Sequence, residues 1–270
     1  MKIDVVIPSR GNALRLLSII TCFDMLATGN HEVTCRVVCD TDDHQTQGVM
    51  LPLKKAGMNV HVHVGSGPLT ARVNAAAMNG ADIVTCAADD TMPLAQHWDD
   101  ILSIGVENGH DVFSWQEVND PNNQTLLVFS RKWLDSVGRM LPEYFPFWFG
   151  DTWVAEVYEL AHCRPLPIIQ NLPWGGKRGK TRGMRDLEFW FDFFAATRIE
   201  RIAEARGVAF ANSVKFDPPQ AMLDDMKRRD AEQRARVPQF NEAFGADAGE
   251  PSETYLNMKA TAQQWLREHQ

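Results

Sequence analysis

The chain alternates short apolar runs with polar turns and amphipathic stretches. Lys2 to Pro8 is dominated by Val and Ile and ends abruptly in Pro8-Ser9-Arg10-Gly11-Asn12, the pattern of a buried strand feeding a loop. Leu14, Leu16, Leu17, Ile19, Ile20 and Phe23 then recur at helical spacing, which predicts a helix capped by Asn12 and stopped at Gly29-Asn30. The pattern repeats. Strand Val33 to Cys39 closes in Asp40-Thr41-Asp42-Asp43, and a polar helix runs to Gly57. Strand Asn59 to Val64, loop Gly65 to Pro68 and helix Leu69 to Met78 follow, then strand Ala81 to Cys86 and an acidic turn, Ala87 to Pro93. A helix over Leu94 to Val106 is expected to place Trp98, Ile101 and Leu102 on one face. Alternation of this kind predicts an α/β fold with a largely parallel, doubly wound sheet. Ligands of such sheets lie outside the carboxyl ends of the strands, so the four polar clusters should converge on one rim.

After Asp111 the rhythm changes. Asp111 to Val118 and Thr125 to Ser130 read as an antiparallel hairpin turning at Asn119-Asp120-Pro121-Asn122-Asn123. The aromatic run Tyr144 to Phe149 leads into Gly150-Asp151-Thr152-Trp153, the start of a helix reaching about Ala161. Pro165 to Gln170 reads as a last strand and Pro173 to Arg185 as a Gly-rich basic loop. From Asp186 onward the pattern is helical, with breaks at Pro218-Pro219 and Gly245 to Pro251.

Composition narrows the class. At 270 residues, 44% hydrophobic and 23% charged, the chain has the make-up of a globular protein, and its net charge of -8 argues against binding nucleic acid through its overall field. The longest apolar stretches, Leu14 to Ile20 and Met140 to Phe149, fall short of the roughly 18 to 20 residues that span a bilayer. The Met1-Lys2-Ile3-Asp4 start lacks a signal-peptide core, so a cytoplasmic protein with no membrane span is expected. Cys22, Cys35, Cys39, Cys86 and Cys163 have no C-x-x-C spacing and read as reduced, mostly buried thiols. The eight histidines show no metal-ligand spacing, and none is assigned as a ligand; His61 and His63 alternate along a strand and share one face.

The chemistry concentrates in Ala88-Asp89-Asp90-Thr91-Met92-Pro93. An apolar strand delivers two adjacent carboxylates to a sheet rim, hard oxygen donors suited to Mg²⁺ or Mn²⁺ held partly by a diphosphate, or else caps for the next helix. Three further motifs precede it in order: Val5-Val6-Ile7-Pro8-Ser9-Arg10-Gly11-Asn12, Val37-Val38-Cys39-Asp40, and Gly67-Pro68-Leu69-Thr70-Ala71-Arg72-Val73-Asn74. Together they resemble nucleotide-sugar glycosyltransferases of the GT-A (Rossmann-like) fold, similar to glycosyltransferase family 2, over roughly Met1 to Ala161. The first position of the family's Asp-x-Asp site is Ala88 here.

The resemblance implies a site. Pro8, Ser9, Arg10, Asp40, Arg72, Asn74 and Asp89 would bind the donor, with Asp40 on the base; Asp90 would hold the metal directly, with Asp89 nearer the ribose or a metal-bound water. Arg10 and Arg72 either touch the donor or pair with the rim aspartates, and Asp40 either meets the base or caps the next helix. Asp151 would be the base that deprotonates the acceptor hydroxyl, or the N-cap of its helix. Trp148 and Trp153 would stack on the acceptor or fill the core. Lys177, Arg178 and Arg182 would form a mobile lid over the diphosphate, a solvated loop, or a contact to an anionic acceptor.

The implied organisation is a GT-A-like catalytic domain over residues 1–172, its donor-binding half about 1–110 and its acceptor half about 111–172. A basic mobile loop follows at 173–186, and a helical C-terminal extension at 187–270 packs on the catalytic domain. The implied function is Mn²⁺- or Mg²⁺-dependent transfer of a sugar, from a UDP-sugar first, to a hydroxyl of a glycan, a small molecule or a modified base in DNA. One rival is a sugar-phosphate nucleotidyltransferase, which expects a Gly-Gly-x-Gly-Thr-Arg loop after the first strand. The other is a nucleotide-sugar or glycan binding protein with a degenerate metal site, a reading that rests on Ala88.

Overall fold

The computed structural model describes all residues except 119–125, 147–148, 162–167, 174–185, 245–249 and 270, with backbone alone at 168–173 and 242–244. By its backbone contacts the chain falls into two compact units. One comprises Met1–Leu141 and Arg164–Gly176, the other Pro142–Cys163 and Lys177–Gln270. The sequence pattern places residues 142–172 with the sheet, whereas the contacts group Pro142–Cys163 with the C-terminal helices. The reason is aromatic: Phe145 packs its ring against Trp153, Trp190, Phe193 and Phe194.

The first unit carries β1 (Lys2–Pro8), β2 (Glu32–Asp40), β3 (Val60–Gly65), β4 (Ile83–Cys86), β5 (Thr91–Pro93), β6 (Val112–Glu117), β7 (Leu126–Ser130) and β8 (Ile168–Pro173). They form one sheet in the order β3-β2-β1-β4-β7-β6-β8-β5. The β3-β2-β1-β4 half is parallel throughout; β7 runs antiparallel to β4 and β6, β8 is parallel to β6, and β5 antiparallel to β8. The sheet is thus mostly parallel, and the hairpin of β6 and β7 is present. Ile3 to Ile7 are buried without interruption, the signature of a strand covered on both faces.

Helices α1 (Ala13–Leu26), α2 (His44–Lys55), α3 (Leu69–Ala77), α4 (Trp98–Glu107) and α5 (Arg131–Val137) belong to the sheet unit. Pro52 lies within α2. Three expectations are corrected. Asn12 makes no side-chain cap on α1, because its amide is used elsewhere. Ile101 lies on the exposed side of α4, while Trp98 and Leu102 are fully buried, since the helix turns the side carrying Asp99 and Ser103 inward rather than the side carrying Ile101. The last strand extends to Pro173, three residues past the expected end at Gln170, in register with β5. Under the sheet, Phe23, Trp98 and Trp115 meet edge to face, the Trp98 indole donating to Phe23 O at 2.9 Å and the Trp115 indole to Thr85 Oγ1 at 2.8 Å.

The second unit holds α6 (Gly150–Leu160), α7 (Leu187–Ala196), α8 (Arg198–Ala211), α9 (Gln220–Ala235), α10 (Val237–Phe244) and α11 (Glu253–His269). Its core is aromatic, with Arg201 fully buried among the rings. Among the described residues, no helix is long and apolar enough to cross a membrane. Cys35 and Cys39 are buried, and burial pushes the Cys35 thiol up to about 12, as expected of an inert thiol; Cys22 and Cys86 are half-buried, and Cys163 lies outside the described residues.

Candidate functional site

The strand order reverses between β1 and β4, which both pair in parallel at the middle of the sheet. Such a switch point opens a crevice at the carboxyl ends of the strands, because the crossovers on either side leave to opposite faces. Pro8 ends β1 and Cys86 ends β4, so Ser9 to Asn12 and Ala87 to Asp90 both flank this crevice. Hydrogen bonds join them. Ser9 Oγ donates to Asp89 Oδ2 at 2.7 Å and Asn12 Nδ2 to the same oxygen at 3.1 Å. Burial pushes the Asp89 carboxyl above its ordinary value; the bonds from Ser9 and Asn12 oppose this, and the Asp90 charge adds to it. Asp90 is half-buried and makes no hydrogen bond or ion pair among the described residues. Neither aspartate caps a helix: Thr91 enters β5, and α4 begins only at Trp98.

A second corner lies one strand over, at the end of β2. Asp40 Oδ1 accepts from Arg72 Nη2 at 2.7 Å and Asp40 Oδ2 from Arg10 Nη1. Arg72 is anchored further by Nη1 bonds to Cys39 O at 2.9 Å and Gly65 O at 3.2 Å. Arg10 also forks onto Asp42, Nη1 to Oδ1 at 3.1 Å and Nη2 to Oδ2 at 2.9 Å. The cap of α2 is Asp43 rather than Asp40, its Oδ1 accepting from Thr46 N at 3.1 Å. Asp43 Oδ2 takes the Gly11 N–H at 2.9 Å, and Gly11 sits at φ 69°, a conformation that costs glycine nothing. Burial would raise the Asp43 carboxyl, but the bonds from Thr46 and Gly11 hold it below its ordinary value.

The structure therefore brings Ser9, Asn12 and Asp89 together, and Arg10, Asp40 and Arg72 together, on adjacent loops of one rim. Asn74 is not placed with them. Its amide is buried and holds residues 140–141, Nδ2 donating to Leu141 O at 2.8 Å while Oδ1 accepts from Met140 N at 3.1 Å and Leu141 N at 2.8 Å. Trp153 is also corrected. It is fully buried, its indole donates to Glu204 Oε2 at 3.2 Å, and Tyr144 and Phe145 cover its ring, so no face is open to an acceptor. Asp151 lies in the first turn of α6, one residue inside the helix rather than at its cap, with Oδ1 accepting from Thr152 N at 2.8 Å. Burial pushes its carboxyl above the ordinary value against that bond. Trp148, Lys177, Arg178 and Arg182 lie outside the described residues.

One cluster had no sequence signal. His31, Asp99 and Asp100 bring ligand atoms within 4.8 Å of one another. The trio sits at the opposite end of the strands, beside the starts of β1 and β2. Its groups are already engaged: Asp99 accepts from Thr28 N at 2.9 Å and Thr28 Oγ1 at 2.6 Å, and His31 lies between Asp100 at 3.0 Å and the Met1 amine at 3.2 Å. It ties residues 28–31 to α4. Two further residues of the rim went unassigned in the sequence. Asp43 stands three before Thr46, a visible N-cap spacing, whereas the bond from Asn12 to Asp89 spans 77 residues and has no local signal.

No protein-family model matches the chain, and no curated protein sequence matches it. Solved structures do. The mannosyltransferase PcManGT from Pyrobaculum calidifontis, in complex with GDP-Man and Mn²⁺, superposes with a TM-score of 0.60 at 12% identity, over 98% of this chain and 80% of that one. Residues 1–349 of S. aureus TarS in complex with UDP-GlcNAc superpose with a TM-score of 0.55 at 13% identity, over 100% of this chain and 93% of that one. The fold is GT-A-like. Likeness at 12 to 13% identity is a likeness of fold.

Proposed function

We propose that the chain is a metal-dependent glycosyltransferase, moving a sugar from a nucleotide-sugar donor to a hydroxyl of a glycan, a small molecule or a modified base in DNA. One observation carries this reading: two adjacent carboxylates at the switch point, Asp89 oriented by Ser9 and Asn12, Asp90 uncommitted among the described residues. Two hard oxygen donors at a sheet rim fit Mn²⁺ or Mg²⁺, which take one or two carboxylates and leave positions for substrate oxygens. The Mn²⁺ and GDP-Man bound to PcManGT and the UDP-GlcNAc bound to TarS support it. In this reading Asp90 holds the metal and Asp89 meets the ribose or a metal-bound water. The bound metal would offset the charge that develops on the departing diphosphate.

A UDP-sugar is the favoured donor because of Asp40. With Oδ1 held by the more buried Arg72, Oδ2, paired with the more exposed Arg10, is the one oxygen that can be yielded to a base edge. Uracil offers a single imide N–H there, whereas guanine offers two adjacent donors that would want both oxygens. Pro8 ends the strand and aims the Ser9 to Asn12 loop along the rim. Lys177, Arg178 and Arg182 are assigned to the diphosphate on connectivity: the chain enters residues 174–185 from Pro173, which pairs with Thr91 beside Asp90. Trp148 is assigned to the acceptor. Asp151 is assigned as the base, since a carboxyl held above its ordinary value is better matched to taking a hydroxyl proton near neutrality.

The test is transfer or hydrolysis of UDP-sugars with and without Mn²⁺. Asp90→Ala should abolish the metal-dependent activity, and Asp151→Asn should lower kcat by about 10² to 10⁴-fold with UDP binding retained. Unchanged turnover in both variants would refute the assignment.

A further inference from the structure

We propose that Arg10 competes with the donor base for Asp40, that Asp42 sets how firmly Arg10 holds that place, and that donor binding exchanges the ion pair: the base takes Asp40 Oδ2 and the freed guanidinium turns to the diphosphate. The inference rests on the donor reading above and names how the site is opened. Arg72 occupies Oδ1 of Asp40 and Arg10 occupies Oδ2, so a base edge coming to either oxygen competes with a guanidinium for it. The two are not equivalent. The Arg72 side chain is 15% exposed and bonded to two backbone carbonyls as well, whereas the Arg10 side chain is 40% exposed and, among the described residues, bonded only to the side chains of Asp40 and Asp42. Arg10 is therefore the one that yields.

The loop confines the motion to the side chain. Ser9 N donates to Val38 O at 3.0 Å and Gly11 N to Asp43 Oδ2 at 2.9 Å, which pins the backbone on both sides of Arg10. Ser9 on one side and Asn12 on the other bond to Asp89, so a guanidinium that releases Asp40 swings over a rim whose other wall is the Asp89–Asp90 pair. A diphosphate held there by a divalent ion presents anionic oxygens that suit a forked guanidinium. Asp42 is a positioning residue: its side chain is 68% exposed, and it grips Arg10 through both oxygens.

Opposite effects on two probes test this. Binding of uridine and of UDP with Mn²⁺ is measured by calorimetry for the wild type, Arg10→Ala and Asp42→Asn, with thermal melts to verify folding. Removing Arg10 should tighten uridine about two- to five-fold, the worth of an exposed ion pair, and weaken UDP about ten-fold or more as a charge-assisted phosphate bond is lost. Asp42→Asn loosens Arg10 without removing it, so it should tighten both ligands. A role limited to bracing the loop would weaken both probes in both variants, and that result, or uridine binding unmoved in Arg10→Ala, overturns the proposal. A wild type that binds neither probe overturns the donor reading itself, an outcome visible before any variant is made.

Discussion

Glu156 offers a measurable test of how the helical unit handles buried charge. It lies on α6 at 2% exposure, and Arg201 Nε on α8 meets its Oε2 at 2.6 Å. Arg201 is shared: its Nη2 lies 3.6 Å from Asp230 Oδ1, its Nη1 donates to Phe194 O at 2.6 Å, and its guanidinium covers the Phe194 ring at 3.8 Å. Arg198 takes the other side of Asp230. Burial is the largest influence on Glu156 and pushes its carboxyl up to about 7 from 4.5; Arg201 opposes this and the Asp230 charge adds to it. Between those values the folded chain keeps a proton that the unfolded chain has lost, so the stability contributed by the neutral form is complete below about 4.5 and lost as pH rises through about 7. A rise from 4.5 to about 7 is worth about 3 kcal/mol. Glu156→Gln mimics the protonated group and removes the titration. Urea unfolding followed by tryptophan fluorescence at pH 5 to 8 should show wild type and variant nearly level at the acid end. The wild type should then fall behind by up to about 3 kcal/mol at pH 8. A wild type that gains on the variant as pH rises would mean that Arg201 keeps Glu156 ionised, and the reasoning would be refuted.

Two further expectations follow from single contacts. Asn74→Ala leaves a buried backbone N–H at Met140 and a partly buried N–H and carbonyl at Leu141 without their side-chain partner, so thermal unfolding should show a loss of about 2 to 4 kcal/mol, with nucleotide affinity unaffected in the folded fraction. Because burial holds the Asp151 carboxyl up, kcat should fall on acidification with a midpoint above that of an ordinary aspartate; a flat acid limb down to pH 4 would remove Asp151 as the base.

Much of the sheet unit was legible because its information is local. Lys2 to Pro8 is dominated by Val and Ile and broken off by a turn cluster, and β1 occupies those residues. The polar clusters after β1, β2 and β4 lie at the carboxyl ends of parallel strands, where doubly wound sheets present them. What escaped was set by distance in the chain. Asn12 has the residue type and position of a helix cap, and only the approach of Asp89 diverts its amide. Arg10 and Arg72 reach Asp40 across 30 and 32 residues, a pairing that spacing cannot encode. Trp153 follows an aromatic run that could line a cleft or fill a core; besides Tyr144 and Phe145 close by, the partners on α8 that enclose it lie some 50 residues downstream. The seven-residue α5 carries too short a period to register as a helix, and Ser130, which caps it by accepting from Trp133 N at 3.1 Å, ends a strand in the same position.

The path of the chain between its two units has a practical corollary. It crosses after Leu141, returns after Cys163 and crosses again after Gly176, so cleavage at any one junction leaves the units joined by the other two. Nor can the sheet be isolated by truncation at Leu141. That fragment would lack β8, the strand between β6 and β5, leaving β6 with a bare edge and Thr91–Pro93 without the strand it pairs with. The residues that directly follow Asp90 would lose their mooring first, before any change to the aspartates themselves.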